Sequence, residues 1–396
     1  MTRLWDKGAP LDARVLEYTA AQDHALDERL VRYDIEASIA HADMLAQQGL
    51  LSDTDHEAIR TALRAIGEEH AEGRWHVTLA QEDCQTAIEN LLTERIGAAG
   101  GRLHAGRSRN DQVLAALRLY LRDATRELHA GAIGVAEALD ALAARQGSVA
   151  LPGYTHMQQA MPSSVALWAL GFAAEIRDDA EGLRLAERRS GKNPLGSAAG
   201  YGTPHLNVSR EATRQSLNFR VTHEPVTAVQ LSRGKAEAHL LFEITLLTQD
   251  IGRLASDLLL FHTQEFGFVS LPEQFTTGSS IMPQKRNPDV FELMRGRSAV
   301  AQAALNEVLA VTQKLSSGYH RDLQLIKPPL FRAIDSCGQT LGILPSALDG
   351  VRFRPERIHL DPGVHAAGAA NALVAKENIP FRDAYRQIAA TLDKLK

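Results

Sequence analysis

LLFEITLLTQDIGRLASDLLLF, residues Leu240 to Phe261, decides the fold. Its apolar side chains at Leu240, Ile244, Leu247, Ile251, Leu254, Leu258 and Phe261 step by four and three. That is a heptad seam, the pattern of long helices packed nearly antiparallel. A second seam runs through Leu114, Leu117, Leu121, Ala124, Leu128, Gly131, Val135, Ala138 and Leu142. Its small residues let neighbouring backbones approach closely. A third helix is expected from Pro162 through Trp168 and Ile176 towards Arg188, and a fourth from Pro288 through Val300, Leu305, Val308 and Val311 to about Leu315. Strand-like alternation is scarce. The expected fold class is mainly α, a long-helix bundle core flanked by smaller helical N- and C-terminal domains. Shorter helices are expected over 29–48, 52–72 and 82–96, with a boundary at Gly97–Arg102. After Asp349-Gly350 the chain turns Pro- and charge-rich and ends in a short helical tail. The implied domains are 1–106, 107–360 and 361–396.

A chain of 396 residues can bury a large core. Its 44% hydrophobic and 23% charged content is that of a soluble globular protein. The net charge of −5 offers no basic face for nucleic acid. Met1–Gly8 has no apolar core and does not read as a secretory leader. No apolar run approaches the ~20 residues needed to span a bilayer. The cysteines, Cys84 and Cys337, lack CxxC spacing, which points to a reducing, cytoplasmic compartment. Fifteen histidines show no metal-ligand spacing, so neither a metal nor another cofactor is expected. The Gly-rich stretch Gly196–Thr203 lacks the Gly-Lys-Ser/Thr of a phosphate-binding loop.

Four segments concentrate chemistry. Gly278-Ser279-Ser280-Ile281-Met282-Pro283-Gln284-Lys285-Arg286-Asn287-Pro288 combines small residues with a hydroxyl, a cation and a carboxamide. Pro288 suits the first turn of a helix and Asn287 the cap before it, so Lys285 and Asn287 are expected at a helix N-terminus that favours an anion. His104-Ala105-Gly106-Arg107-Ser108-Arg109-Asn110-Asp111-Gln112 crowds two arginine forks, suited to carboxylates, before a long helix. Leu151-Pro152-Gly153-Tyr154-Thr155-His156-Met157-Gln158 places a histidine, a general acid near neutral pH, between two helices. Tyr319-His320-Arg321-Asp322-Leu323-Gln324-Leu325-Ile326-Lys327 is a polar turn. Each segment alone reads more readily as a solvated loop, a cap or a structural turn.

Taken together and in this order, the segments resemble the fumarase/aspartase superfamily, and Met-Pro-Gln-Lys resembles its argininosuccinate lyase branch, to which the delta-crystallins are related. The resemblance covers most of the chain. It implies cleavage of argininosuccinate to arginine and fumarate, the last step of arginine biosynthesis. It implies Ser279 as base, His156 as the acid that protonates the leaving group, Glu292 as the carboxylate that orients His156, and Lys285 as stabiliser of developing charge. Arg109, Asn110, Thr155, Asn287, Tyr319, Gln324 and Lys327 are implied as substrate contacts, with Arg233 as a further one. It also implies a homotetramer with composite sites. The sequence departs from the family in three places. Gln85 stands where a histidine is usual, Tyr18–Asp23 replaces an Asn-Asp-Ser pattern, and the part after Pro362 is shorter than in most members.

Helix length by itself points to a homo-oligomer with sites at subunit junctions. A helix from Asp111 to about Arg145, ~35 residues, spans roughly 50 Å. Arg109 and His156 of one copy then cannot meet on one small molecule. Two alternatives carry weight beside this reading: a sister enzyme such as adenylosuccinate lyase, and a non-catalytic crystallin-like protein on the same scaffold.

Overall fold

A computed structural model describes residues 12–20 and 22–392. The Met1–Gly8 stretch, Ala21 and the last four residues lie outside that range. In chain order the helices are α1 Ala13–Ala20, α2 Asp23–Asp27, α3 Val31–Gln47, α4 Asp53–Ala71, α5 Cys84–Ile96, α6 Ala98–Arg102, α7 Arg109–Gln146, α8 Val165–Ser190, α9 Arg210–Ser216, α10 Val226–Leu231, α11 Lys235–His262, α12 Asp289–Thr312, α13 Lys327–Gly350, α14 Ala366–Glu377 and α15 Phe381–Leu392. The strands are short: β1 Ala150–Thr155, β2 Gln158–Ser164, β3 Lys192–Asn193, β4 Val221–Thr222, β5 Val269–Ser270 and β6 Arg352–Phe353. The chain is mainly α, as its two seams predict. All seven positions of the first seam are at most 4% exposed. α7 is one unbroken helix of 38 residues.

Two compact units divide the chain. The first comprises 1–129, 182–244 and 300–336. Its core joins Tyr33, Ala37 and Ala40 of α3 with Ala115, Ala116 and Leu119 of α7 and with Leu195, Leu217 and Phe219. Tyr120 lies edge-on to Tyr33 and to Phe331. Arg29 lies over the Phe331 ring and bonds Asp335 at 3.0 Å. Helix starts obey local chemistry. Ser52 caps α4 by accepting from the Asp55 N–H, and Asp83 caps α5 by accepting from the Thr86 N–H.

The second unit comprises 130–181, 245–299 and 337–396. Trp168, Phe261, Phe268 and Phe353 pack edge-to-face or tilted at its centre. The indole N–H of Trp168 donates to Asp257 at 2.9 Å. Gln146, at the end of α7, donates to the Val351 carbonyl and accepts from the Phe353 N–H.

Two local expectations need correction. The helix expected from Pro162 begins at Val165 instead, because Pro162 belongs to β2 and pairs across the hairpin with Pro152. Proline has no N–H for the ladder and tolerates such a two-stranded edge. α12 begins at Asp289, and the Asn287 carboxamide does not cap it. Asn287 is drawn instead into a bridge with Thr277, and the Pro288 carbonyl accepts the first helical N–H bonds. The stretch Gly97–Arg102, expected only as a boundary, carries a short helix, α6, packed on α5.

Gly131 shows why the second seam needs small residues. A Cβ there would stand 3.0 Å from the Leu341 Cβ, an atom fixed to its own backbone. Gly131→Ala would gain about 1 kcal/mol of helix propensity, but overpacking typically costs ~1–3 kcal/mol. We expect a net loss, read as a lower unfolding midpoint; an unchanged or raised midpoint would show that Leu341 yields freely.

Candidate active site

The arginine motif is built around a buried carboxylate. Asp111 accepts from the Ser108 N–H at 3.0 Å, the Gly196 N–H at 3.0 Å and the Ala198 N–H at 2.8 Å. Burial nonetheless raises its pKa to about 6, against the pull of these donors and of Arg107. The bonds tie the first turn of α7 to the Gly-rich stretch. Gly106 is obligatory here, because its φ is +67° and a Cβ would fall 2.6 Å from Val208. Arg107 points inward to the Ser38 hydroxyl at 2.8 Å, and burial lowers its pKa. Beside it, Gln85 donates to Asp34, which also accepts from Gln112. The Gln85 amide thus donates to a buried acid while the residue also lines the same cavity as Arg109 and Asn110.

Arg109 is not a solvated cap residue. Its fork donates to Asp83 and to the Thr86 hydroxyl, both at 2.8 Å. Asn110 follows it into a cavity of about 170 Å³ whose lining includes Arg233, Tyr319, Gln324 and Lys327. All these residues are expected from the sequence, Arg233 through the resemblance alone and the others within the motifs, and all belong to the first unit. Asp23, Asp27, Glu82, Asp83 and Arg321 share the lining and were not foreseen. The i, i+4 spacing of Asp23 and Asp27 was the available signal, since it puts both acids on one helical face.

Lys327 is 4% exposed and bonds Asp23 at 2.6 Å and Asp27 at 2.7 Å. Burial opposes its charge, but the two carboxylates outweigh that and hold its pKa above the usual lysine range. Asp23 is raised to about 6, first by burial, with Lys327 pulling the other way and Asp27 adding repulsion. Gln324 donates to the Thr19 carbonyl at 2.6 Å. Arg233 is 7% exposed, and its Nε and Nη1 have no hydrogen-bond partner among the described residues. Its guanidinium carbon lies 6.0 Å from the Tyr319 ring centre.

The remaining candidates belong to the second unit. β1 and β2 form a hairpin whose two tip residues, His156 and Met157, both have positive φ, 52° and 61°. Thr155 and His156 are exposed at this tip. The Ser279 segment is a loop pinched at its neck. The Thr277 N–H donates to the Asn287 carbonyl at 3.0 Å, and the Asn287 N–H returns the bond at 2.8 Å. The Thr277 hydroxyl also donates to Asp289 in the first turn of α12. Inside the loop, the Ser279 hydroxyl oxygen accepts from the Met282 N–H at 3.2 Å, and Lys285 is exposed. Lys285, Asn287 and Glu292 line a groove of about 1060 Å³ with Asp257 and Arg295. Two acids, Asp289 and Glu292, occupy the first turn of α12. Thr155, His156 and Ser279 line neither cavity.

Comparison with known proteins gives this arrangement a context. A sequence profile for a family described as "Lyase" matches residues 10–303. An argininosuccinate lyase of Sorangium cellulosum is 45% identical over 99% of this chain and 91% of its own length. The chain belongs to the argininosuccinate lyase family. Relatives of the same name in Thermotoga neapolitana and Xylella fastidiosa are 38% and 43% identical, each over 98% of this chain and over 97% and 88% of their own lengths. Among solved structures, a variant of EDDS lyase with bound fumarate superposes with a TM-score of 0.81 at 23% identity, covering 98% of this chain and 77% of that one. A class II fumarase from Schistosoma mansoni gives 0.78 at 17% identity, covering 96% and 93%. These two likenesses concern the fold. No helix among the described residues is long and apolar enough to cross a membrane.

The buried triplet of Lys327 and two carboxylates makes a sharp test. Lys327→Met removes the one cation from two buried acids, and breaking such a pair costs about 3–5 kcal/mol. Asp23 then keeps a folded pKa above its unfolded one, because burial raises it and the cation that opposed burial is gone. That contribution is favourable below about pH 4 and is lost as pH rises through the folded value, about 6 in the native chain. We expect the variant's deficit in chemical denaturation to be small near pH 4 and large at pH 8; a pH-independent deficit would contradict the assignment.

Proposed function

We propose that this chain cleaves argininosuccinate reversibly to L-arginine and fumarate, as a carbon–nitrogen lyase of arginine biosynthesis. The observation that carries the reading is 45% identity to a relative of that name over 99% of the chain. The presence of every residue expected in the four motifs supports it. Neither an adenylosuccinate-type activity nor a purely structural role is favoured.

The difficult step is removal of a weakly acidic proton from the carbon beside a carboxylate. The carbanion needs its charge spread into that carboxylate, and preorganised donors aimed at its oxygens supply the largest stabilisation. We assign that task to Lys285 and Asn287, with Ser279 as the base that takes the proton. A serine becomes basic only where a cation and N–H groups stabilise its alkoxide, which the loop can supply when it closes over substrate and excludes water. The C–N bond then breaks, the electron pair stays with the guanidinium nitrogen, and His156, oriented by Glu292, protonates it. Thr155, Arg109 and Asn110 would hold the carboxylates of the succinyl part. Tyr319, Gln324, Lys327 and Arg233 would shape the cavity for the arginine part.

A continuous helix of 38 residues is roughly 57 Å long, so we assign Arg109 and His156 of one site to different copies. Exposed apolar side chains on the long helices, among them Leu167, Leu170, Phe242, Leu246, Leu293 and Leu309, suit burial between copies. We therefore propose a homotetramer with shared sites. Buried, unpaired Cys84 and Cys337 suit the cytoplasm. We also retain a three-domain division at 1–106, 107–360 and 361–396.

Fumarate absorbance should rise when the protein meets argininosuccinate and stay flat with adenylosuccinate. Ser279→Ala and His156→Asn should each lower turnover by roughly 10²–10⁴-fold, the range of a lost acid or base, with helix content and assembly unchanged. Near-normal turnover in Ser279→Ala would remove it as base. Mixing and reassembling the two inactive variants should restore part of the activity, because some sites then draw intact groups from different copies. Absence of any recovery would refute shared sites.

A further inference from the structure

The charge-rich stretch after Gly350 plays no part in the chemistry assigned to the Ser279 loop, yet two of its arginines line the same groove. Its placement is firm. β6 pairs antiparallel with β5, and the Arg354 N–H donates to the Phe268 carbonyl at 2.8 Å. Phe353 is 6% exposed and belongs to the aromatic centre around Trp168 and Phe261. Pro355, Glu356 and Arg357 follow as a short 3₁₀ turn. A strand pair on one side and a proline-started turn on the other leave Arg354 and Arg357 little freedom of position. Both line the groove beside Lys285, Asn287 and Glu292.

That groove is electropositive. Lys285, Arg286, Arg295, Arg354 and Arg357 line it, against two carboxylates, Asp257 and Glu292. Asp257 is engaged by the Trp168 indole N–H. Two further acids pair with lining arginines, Glu273 with Arg286 at 3.5 Å and Glu356 with Arg354 at 3.2 Å, and cations still outnumber acids. The excess is local, because the whole chain carries a net charge of −5. At about 1060 Å³ the groove has far more room than a small dicarboxylate fills, so it is not a fitted pocket for one. A wide cleft of one sign acts at a distance instead. It focuses field lines and raises the local concentration of the opposite charge.

We propose that Arg295 and Arg354, with Arg357 beside them, form an electropositive approach that draws the dianion fumarate, and the succinyl end of argininosuccinate, towards the Ser279 loop. This rests on the lyase activity proposed above and deepens it. The arginines act through charge and not through a fixed contact, so no proton or bond passes through them. Arginine, which carries a net positive charge, gains nothing from the groove. The approach therefore treats the two products oppositely, concentrating one and not the other.

Synthesis of argininosuccinate from fumarate and L-arginine, followed as loss of fumarate absorbance on the full-length assembled protein, tests this with an internal control. In wild type the KM for fumarate should rise roughly tenfold between about 0.01 M and about 1 M potassium chloride, as the Debye length falls from about 30 Å to about 3 Å, while the KM for arginine does not rise. Arg295→Gln combined with Arg354→Gln should raise the fumarate KM roughly five- to tenfold at low salt, leave kcat and the arginine KM unchanged, and weaken the salt response. Arg295→Lys combined with Arg354→Lys should behave as wild type, because the charge is kept; a purely structural role would show in both pairs alike. Arg357 is left in place, since it donates to the Gln264 carbonyl at 3.2 Å and packs on Gly267. A flat salt response of the fumarate KM in wild type overturns the proposal, whether or not the variants fold. So does a folded double glutamine variant with an unchanged fumarate KM. Fumarate affinity is read by calorimetry on the same preparations. Turnover without the charge dependence refutes the approach alone. Absence of turnover refutes the lyase activity, and fumarate affinity then decides the approach by the same salt comparison.

Discussion

The buried carboxylate of Asp111 holds the working parts of the first unit in place. It takes three backbone N–H groups from two separate stretches of chain, the turn before α7 and the Gly-rich segment at 196–198. Those donors would otherwise be buried without partners, so the start of α7 is fixed by a closed set of bonds and not by an ordinary solvated cap. Because α7 starts there, Arg109 reaches Asp83 and Asn110 reaches the cavity. The carboxylate's own reluctance to ionise in this setting is offset by the donors it gathers.

The two groups of candidate residues differ in state. In the first unit most charges are already engaged: Arg109 by Asp83, Lys327 by two acids, Gln324 by a backbone carbonyl. Arg233 is the exception. In the second unit the groups assigned to chemistry, His156 and Lys285, stand exposed on a hairpin tip and a loop. Rigid binding groups on helices and mobile reacting groups on loops are a common division in enzymes, since closure must bring the latter to the substrate.

Much of this was legible in the sequence. The seams through Leu240–Phe261 and Leu114–Leu142 marked the long helices, because a period of 3.5 sustained over many turns suits neither a strand nor a loop. The four motifs supplied the expected residues that line the two cavities except Arg233 and Glu292, which came from the resemblance alone. The hairpin at 150–164 was not legible: its two prolines and short polar strands lack the alternation that marks a sheet, and Pro162 imitates a helix start. The Thr277–Asn287 bridge was hidden for a similar reason, as Asn287 looks like a cap. Asp23 and Asp27 were missed because their meaning depends on Lys327, some 300 positions away. Spacing along a chain cannot report a charge that arrives from the far end.

The pinched neck of the Ser279 loop has an entropic side. Two backbone bonds join Thr277 to Asn287, so the residues between them form a small ring with ends already together. The expensive part of loop closure is thus met when the protein folds, and ordering the remainder around a ligand draws on far fewer lost conformations. The neck is also tied to the first turn of α12 through Thr277 and Asp289, so ordering of the residues inside the ring need not move that helix.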